Sequence, residues 1–228
     1  MIKGDRQHWG SLAKFFHWTI VLAILTQAVV GLTMVNLPKS PKVIPYFTFH
    51  KSLGLTIFAL AVLRLAWKLF DTRPDEPSTM PRWQVTGAKL GHALLYILLF
   101  LVPLSGWWYD SVAALRPLYF WGLFEVPHIG APDPNDPGLK ELAASRHFYL
   151  FWTLAAVAAG HALAALYHQF VEKDGVLARM WPASLQRRSP PPPSSVSPEP
   201  TLPELTDEPT PTNPVISVRP AADHGQRP

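Results

Sequence analysis

Along the chain, apolar positions gather into four runs that polar residues hardly interrupt: residues 15–37, 46–70, 89–109 and 147–171. Each reaches the roughly 20 residues that a helix needs to cross the hydrocarbon core of a bilayer. Lipid offers the backbone no hydrogen-bond partners, and the runs lack the strict alternation of barrel strands, so each is predicted to be a transmembrane helix. The fold class that follows is all-α, an integral membrane four-helix bundle whose first partner is the lipid bilayer. The opening run is longer than the apolar stretch of a secretory signal, and no A-x-A cleavage site follows it. It reads as a retained helix.

Composition agrees and sets the limits of the folded part. Hydrophobic residues make up 48% of the chain and charged residues only 16%, too apolar a balance for an ordinary soluble domain. From residue 189 the character changes, and 12 of the 25 prolines fall in the last 40 residues, beginning with four in a row at 190–193. Such a segment buries too little apolar surface to offset its chain entropy, so it is predicted to be disordered. The expected organisation is a flank over 1–14, a four-helix domain over 15–182 and a Pro-rich disordered C-terminal tail over 183–228. The connection 110–146, rich in Pro and Trp, is expected to cap the outer ends of the helices.

Charge orients the bundle. The flanks on the side of the two termini hold eleven lysines and arginines, among them Lys14, Lys68, Lys89 and Arg179. The opposite side has six, with five acids interspersed. Positive charge is kept on the cytoplasmic side, so both termini are predicted to be cytoplasmic in an inner (plasma) membrane. The same rule accounts for the net charge of +4, and nothing in the pattern calls for nucleic acid as a partner. The chain has no cysteine, which removes disulfides, iron-sulfur clusters, thiolate catalysis and covalent attachment of c-type haem.

The candidate chemistry lies in the histidines. Six of nine, His17, His50, His92, His147, His161 and His168, fall within or at the ends of the four runs, where ionisable groups are costly and mark a cofactor, an ion path or a partner. His147, His161 and His168 follow one another at steps of 14 and 7 in the fourth run. At about 100° per residue these steps return to within roughly 40° and 20° of the starting direction, so the three share a face. The 14-residue step is about 21 Å of helix rise, which makes two stacked ligand levels. A haem held between helices needs one histidine from each of two helices at one depth. His50, opening the second helix on the outer side, matches His147. His17, near the start of the first, matches His161. Both pairs are expected to ligate haem iron as neutral imidazoles. Zinc would want three or four ligands converging at one level, often with a carboxylate, and the four runs contain no acid. A histidine-lined proton or metal transporter is the reading from another class.

His92 and His168 are left near the inner ends of their helices, as candidates for a quinone headgroup, whose reduction takes up protons as well as electrons. The alternative is that they anchor helix ends at the interface. His8, His128 and His224 read as ordinary solvated histidines. Arg64 follows His50 by 14 residues and so shares its face at the inner level, where it either pairs a haem propionate or snorkels to the interface. Pro103 is expected to kink the third helix and open room for a macrocycle. Trp18, Trp67, Trp83, Trp107, Trp108 and Trp181 read as interfacial aromatics.

These residues, in order Phe16-His17-Trp18, Phe49-His50-Lys51-Ser52-Leu53-Gly54, Gly91-His92-Ala93, Arg146-His147, Gly160-His161-Ala162 and Tyr167-His168, give the chain its resemblance to the prokaryotic cytochrome b561 family. The resemblance covers residues 9–182 and is closest to the short members that act as superoxide oxidases. Phe120-Trp121-Gly122-Leu123 and residues 177–182 also look like family features. It implies two haems b, with His17, His50, His147 and His161 as the axial ligands. It further implies ubiquinone as acceptor on the cytoplasmic side and superoxide, or another small reductant, on the other. Lys39, Lys42, Lys51 and Arg146 surround the outer mouth, where Lys51 and Arg146 are candidates for steering such an anion by their field. Other relatives serve as the membrane haem subunit of hydrogenases and similar enzymes, so a redox partner protein such as a dehydrogenase is the alternative electron source.

Overall fold

The computed structural model describes residues 1–76, 80–113, 117–130 and 136–181. The tail expected over 183–228, with His224, lies outside the described residues. Four long helices dominate: α1 (Ser11–Asn36), α2 (Ile44–Phe70), α3 (Arg82–Ala113) and α4 (Pro137–Tyr167). All four are long and apolar enough to cross a membrane, and the predicted bundle is present. A short helix, α5 (Val176–Met180), follows α4. Two three-residue strands, β1 (Leu118–Phe120) and β2 (Phe124–Val126), form an antiparallel hairpin between α3 and α4.

The helices extend beyond their apolar runs because local signals at their ends prolong them. Asp136 caps α4 by accepting a hydrogen bond from the Leu139 amide at 2.9 Å, and Pro137 occupies the first helical position, where its missing N–H costs nothing. A 3-10 turn over Pro41–Val43 leads into α2, which has a proline in its own first turn. Two consequences follow for the site. His50 lies nearly two turns inside α2, and His147 nearly three turns inside α4, rather than at the helix mouths where the sequence reading set them. At its far end α4 passes into a π-helical turn over His168–Glu172, and the chain then breaks at Lys173 and Gly175, both left-handed. Pro103 sits inside an unbroken α3.

α1 packs on α2, α2 on α3 and α3 on α4. Their common core is Ile20, Ile57, Ala61 and Leu99, with Ile24, Leu53 and Phe100 packed around it. Leu22, Leu25 and Val29 of α1 are 60–68% exposed. A helix that is apolar all round, buried on one side and bare on the other, is what lipid on its outer face requires. The end of the bundle that holds residue 11 is called the N side below, and the end that holds β1 and β2 the hairpin side.

Candidate haem-binding site

On the hairpin side, the imidazoles of His50 and His147 face each other with ring centres 6.3 Å apart. On the N side, those of His17 and His161 stand at the same separation, 6.3 Å. The two sequence-derived pairs are therefore together, at two depths. Each ring is backed by a distinct neighbour. A Cβ placed on Gly31 of α1 would come within 3.1 Å of His50 Cε1, and one on Gly106 of α3 within 3.0 Å of His147 Cε1. The two glycines make room for the two rings.

One register orders all of this. Fourteen residues separate 17 from 31 on α1, 50 from 64 on α2, 92 from 106 on α3 and 147 from 161 on α4. The hairpin-side level is thus Gly31, His50, Gly106 and His147, and the N-side level is His17, Arg64, His92 and His161. Every helix gives one residue to each level, about 21 Å apart by helical rise. Halfway between them fall Ile24, Ile57, Leu99 and Leu154, of which the last three are buried. A buried apolar layer separates the levels. The histidine repeat on α4 was visible in the sequence; its echo in 17/31 and 92/106 was the signal for the glycines, and sequence reasoning missed it.

On His147 the hydrogen bonds fix which ring nitrogen is free. Ser105 Oγ donates to the Val102 carbonyl at 2.7 Å, so its proton is committed. His147 Nδ1 lies 3.0 Å from Ser105 Oγ and 3.2 Å from Val102 O, both acceptors toward it. Nδ1 must carry the proton, and Nε2 keeps a lone pair. A second partner that fixes the tautomer in this way is the usual companion of a metal-bound histidine. His92 Nδ1 likewise donates to the Ala88 carbonyl at 2.7 Å. Gln27 of α1 donates to the His50 carbonyl at 2.8 Å and ties α1 to α2 at the hairpin-side level.

These pairs fit an iron. Two imidazoles bonded to one metal through nitrogens at about 2 Å, each nitrogen about 1 Å from its ring centre, stand about 6 Å apart. Both pairs meet that spacing. His92 and His161, with centres 5.1 Å apart, are about 1 Å too close to share an iron through facing nitrogens, so the arrangement favours His17 as the partner of His161. Among the described residues no group of three or more His, Cys, Asp or Glu side chains is placed to hold a metal ion by itself.

The remaining candidates separate. Arg64 Nε donates to Tyr96 Oη at 3.1 Å, and its Nη1 is buried without a partner. Trp67 Nε1, three residues along the same helix, is a second buried donor in the same condition. Two unsatisfied donors at the N-side level are what a propionate would complete. His168 pairs with Asp174, Nδ1 to Oδ2 at 2.6 Å, both side chains largely buried. Asp174 was not singled out in the sequence. At the hairpin side Lys51 is ion-paired with Asp110 of α3, which is 3% exposed, so its charge is already balanced. Arg146, by contrast, is exposed, as are Lys39 and Lys42. His8 and His128 are exposed, as expected.

The family model described as prokaryotic cytochrome b561 matches residues 8–183. The chain is 31% identical over 183 residues to cytochrome b561 homolog 2 of Escherichia coli (strain K12), covering 76% of this chain and 91% of that one. It is 28% identical over 170 residues to a cytochrome b562 of Cereibacter sphaeroides, covering 72% and 89%. To a probable superoxide oxidase of Yersinia pestis it is 31% identical over 137 residues, covering 58% and 73%.

Proposed function

The chain belongs to the prokaryotic cytochrome b561 family of membrane electron-transfer proteins that bind haem b, and on that premise we propose that it carries two haems and oxidises superoxide with ubiquinone. His50 and His147 would hold one haem at the hairpin side, and His17 and His161 the other at the N side. The observation that carries the reading is the equal 6.3 Å spacing of the two pairs, one at each end of an apolar core. When bound, haem would supply one-electron redox chemistry, tuned by the histidines that hold it.

The protein's own residues account for the rest. With positive charge kept cytoplasmic, Lys14, Lys68 and Lys89 make the N side the cytoplasmic one, and superoxide arrives at the hairpin side. Arg146, exposed beside His147, attracts the anion by its field; Lys51, balanced by Asp110, adds little. In the net reaction two superoxide ions each lose one electron to become dioxygen, and one ubiquinone takes both electrons and two protons to become ubiquinol. At the N side His92 presents Nε2 as a proton acceptor, and the His168–Asp174 pair can hold and release a proton at a quinone oxygen. Arg64 Nη1 would hold a propionate.

Purified protein supplied with a superoxide source should reduce ubiquinone, and superoxide dismutase should abolish the reduction. Arg146→Glu should lower the rate several-fold at low ionic strength and less at high salt. Haem-loaded protein that reduces no quinone with superoxide, but copurifies with a dehydrogenase that does drive it, would overturn the superoxide reading in favour of a membrane haem subunit.

A further inference from the structure

The fourteen-residue register is also a depth ruler. Centring the bilayer on residues 24, 57, 99 and 154, a hydrocarbon half-thickness of about 15 Å spans about ten residues of helix on either side. The limits then fall at or beside Lys14 on α1, Lys68 on α2, Lys89 and Asp110 on α3 and Arg146 on α4. Five of the eight limits carry a charge, at least one on every helix and both on α3, which sets the midpoint of the two levels at the middle of the membrane.

Against this ruler the β1–β2 hairpin lies too deep for a surface loop. Ser52 of α2 is fully buried. Its hydroxyl donates to the Tyr119 carbonyl at 3.2 Å and accepts from the Trp121 amide at 3.0 Å. Trp121 Nε1 donates to Thr56 Oγ1 at 3.0 Å, and its ring packs edge-on against Phe49. Ser52 is five residues from the midplane position and Thr56 one, or about 7 Å and about 2 Å along the helix. The hairpin tip therefore sits within the hydrocarbon depth. The sequence reading of this connection as a cap over the helix ends is too shallow for residues 118–126.

Three further features suit that depth. Non-helical backbone survives in a membrane only where protein groups satisfy it. The hairpin pairs its own strands, Leu123 N donates to Phe120 O at 2.9 Å, and Ser52 serves two more backbone groups. Trp121 is held at φ 49°, a left-handed conformation costly for a non-glycine residue, so its placement is imposed by those contacts. The tip is apolar and bare, with Leu123 76%, Phe124 57% and Trp121 44% exposed. Glu125, the one acid in residues 117–126, lies one rung behind Phe124 on the way back out.

We propose that residues 118–126 form a re-entrant hairpin whose apolar tip lies among the acyl chains of the hairpin-side leaflet, clamped to α2 by Ser52 and Thr56. Lipid, and not a docked protein, covers Leu123 and Phe124. The chain's lack of cysteine makes the test direct. Single variants Leu123→Cys and Phe124→Cys are labelled with a nitroxide in protein reconstituted into phosphatidylcholine vesicles, and collisions with dioxygen and with a water-soluble nickel chelate are compared. Leu22→Cys on the lipid face of α1 and Lys140→Cys, seven residues outward of His147, are the two standards. Labels at 123 and 124 should resemble the Leu22 standard, with dioxygen favoured. Ser52→Ala should shift both toward the Lys140 standard, because Tyr119 O and Trp121 N then lack a partner in hydrocarbon. Labels at 123 and 124 that match the Lys140 standard in otherwise unaltered protein would overturn the proposal.

Discussion

Replacing His147 by alanine is expected to reduce the haem content from two per chain to one, and replacing His50 should remove the same haem. His17→Ala and His161→Ala should each remove the other. The expectation rests on geometry: each pair spans 6.3 Å, and with one imidazole gone the opposite ring has no partner across the iron. Haem stoichiometry and the reduced-minus-oxidised spectrum of each purified variant check it, since the haem that remains reports that the bundle has folded. His92→Ala is the internal control. Its ring is 5.1 Å from that of His161, too close for a shared iron, so this variant should keep both haems. Loss of a haem from His92→Ala with retention in His17→Ala would show that the N-side pair is wrongly assigned.

Gly106→Leu should remove the hairpin-side haem as completely as the loss of its ligand, with every ligand left in the sequence. A Cβ at this position would stand 3.0 Å from His147 Cε1 and 3.3 Å from Nδ1, inside ordinary van der Waals contact. The ring cannot yield freely, because Nδ1 is held by Val102 O and Ser105 Oγ. A metal–nitrogen bond tolerates displacement of about 0.2 Å, less than a leucine at 106 would force. Gly106→Ala, which asks for a few tenths of an ångström, should weaken haem retention in part. The N-side haem should stay in both variants. A Gly106→Leu protein with two haems and an unaltered spectrum would show that the glycine does not make room for the ring.

Much of this was legible in the sequence because bilayer physics leaves few options. Apolar runs of sufficient length must be helices, and the 14-residue step from His147 to His161 defines two depths along one face. The helix ends were less legible. The Asp136 cap and the proline-led start of α2 carry polar residues that a hydropathy pattern assigns to loops, and so His50 and His147 were set too near the surface. Gly31 and Gly106 were passed over because a glycine in an apolar run carries no charge to draw notice, although it repeats the same step. Asp110, Ser52 and Asp174 act through partners far off in sequence or beyond a helix end, and no local pattern reveals those. The hairpin escaped notice for a related reason. Its depth is set by contacts with α2, 65 to 69 residues away.

Two ligand levels that each hold one haem are tested by counting haem against protein. A pyridine haemochrome assay on the purified wild-type protein, read with its reduced-minus-oxidised spectrum, should give two b-type haems per chain. A saturated value of one haem per chain, or of none, would contradict it.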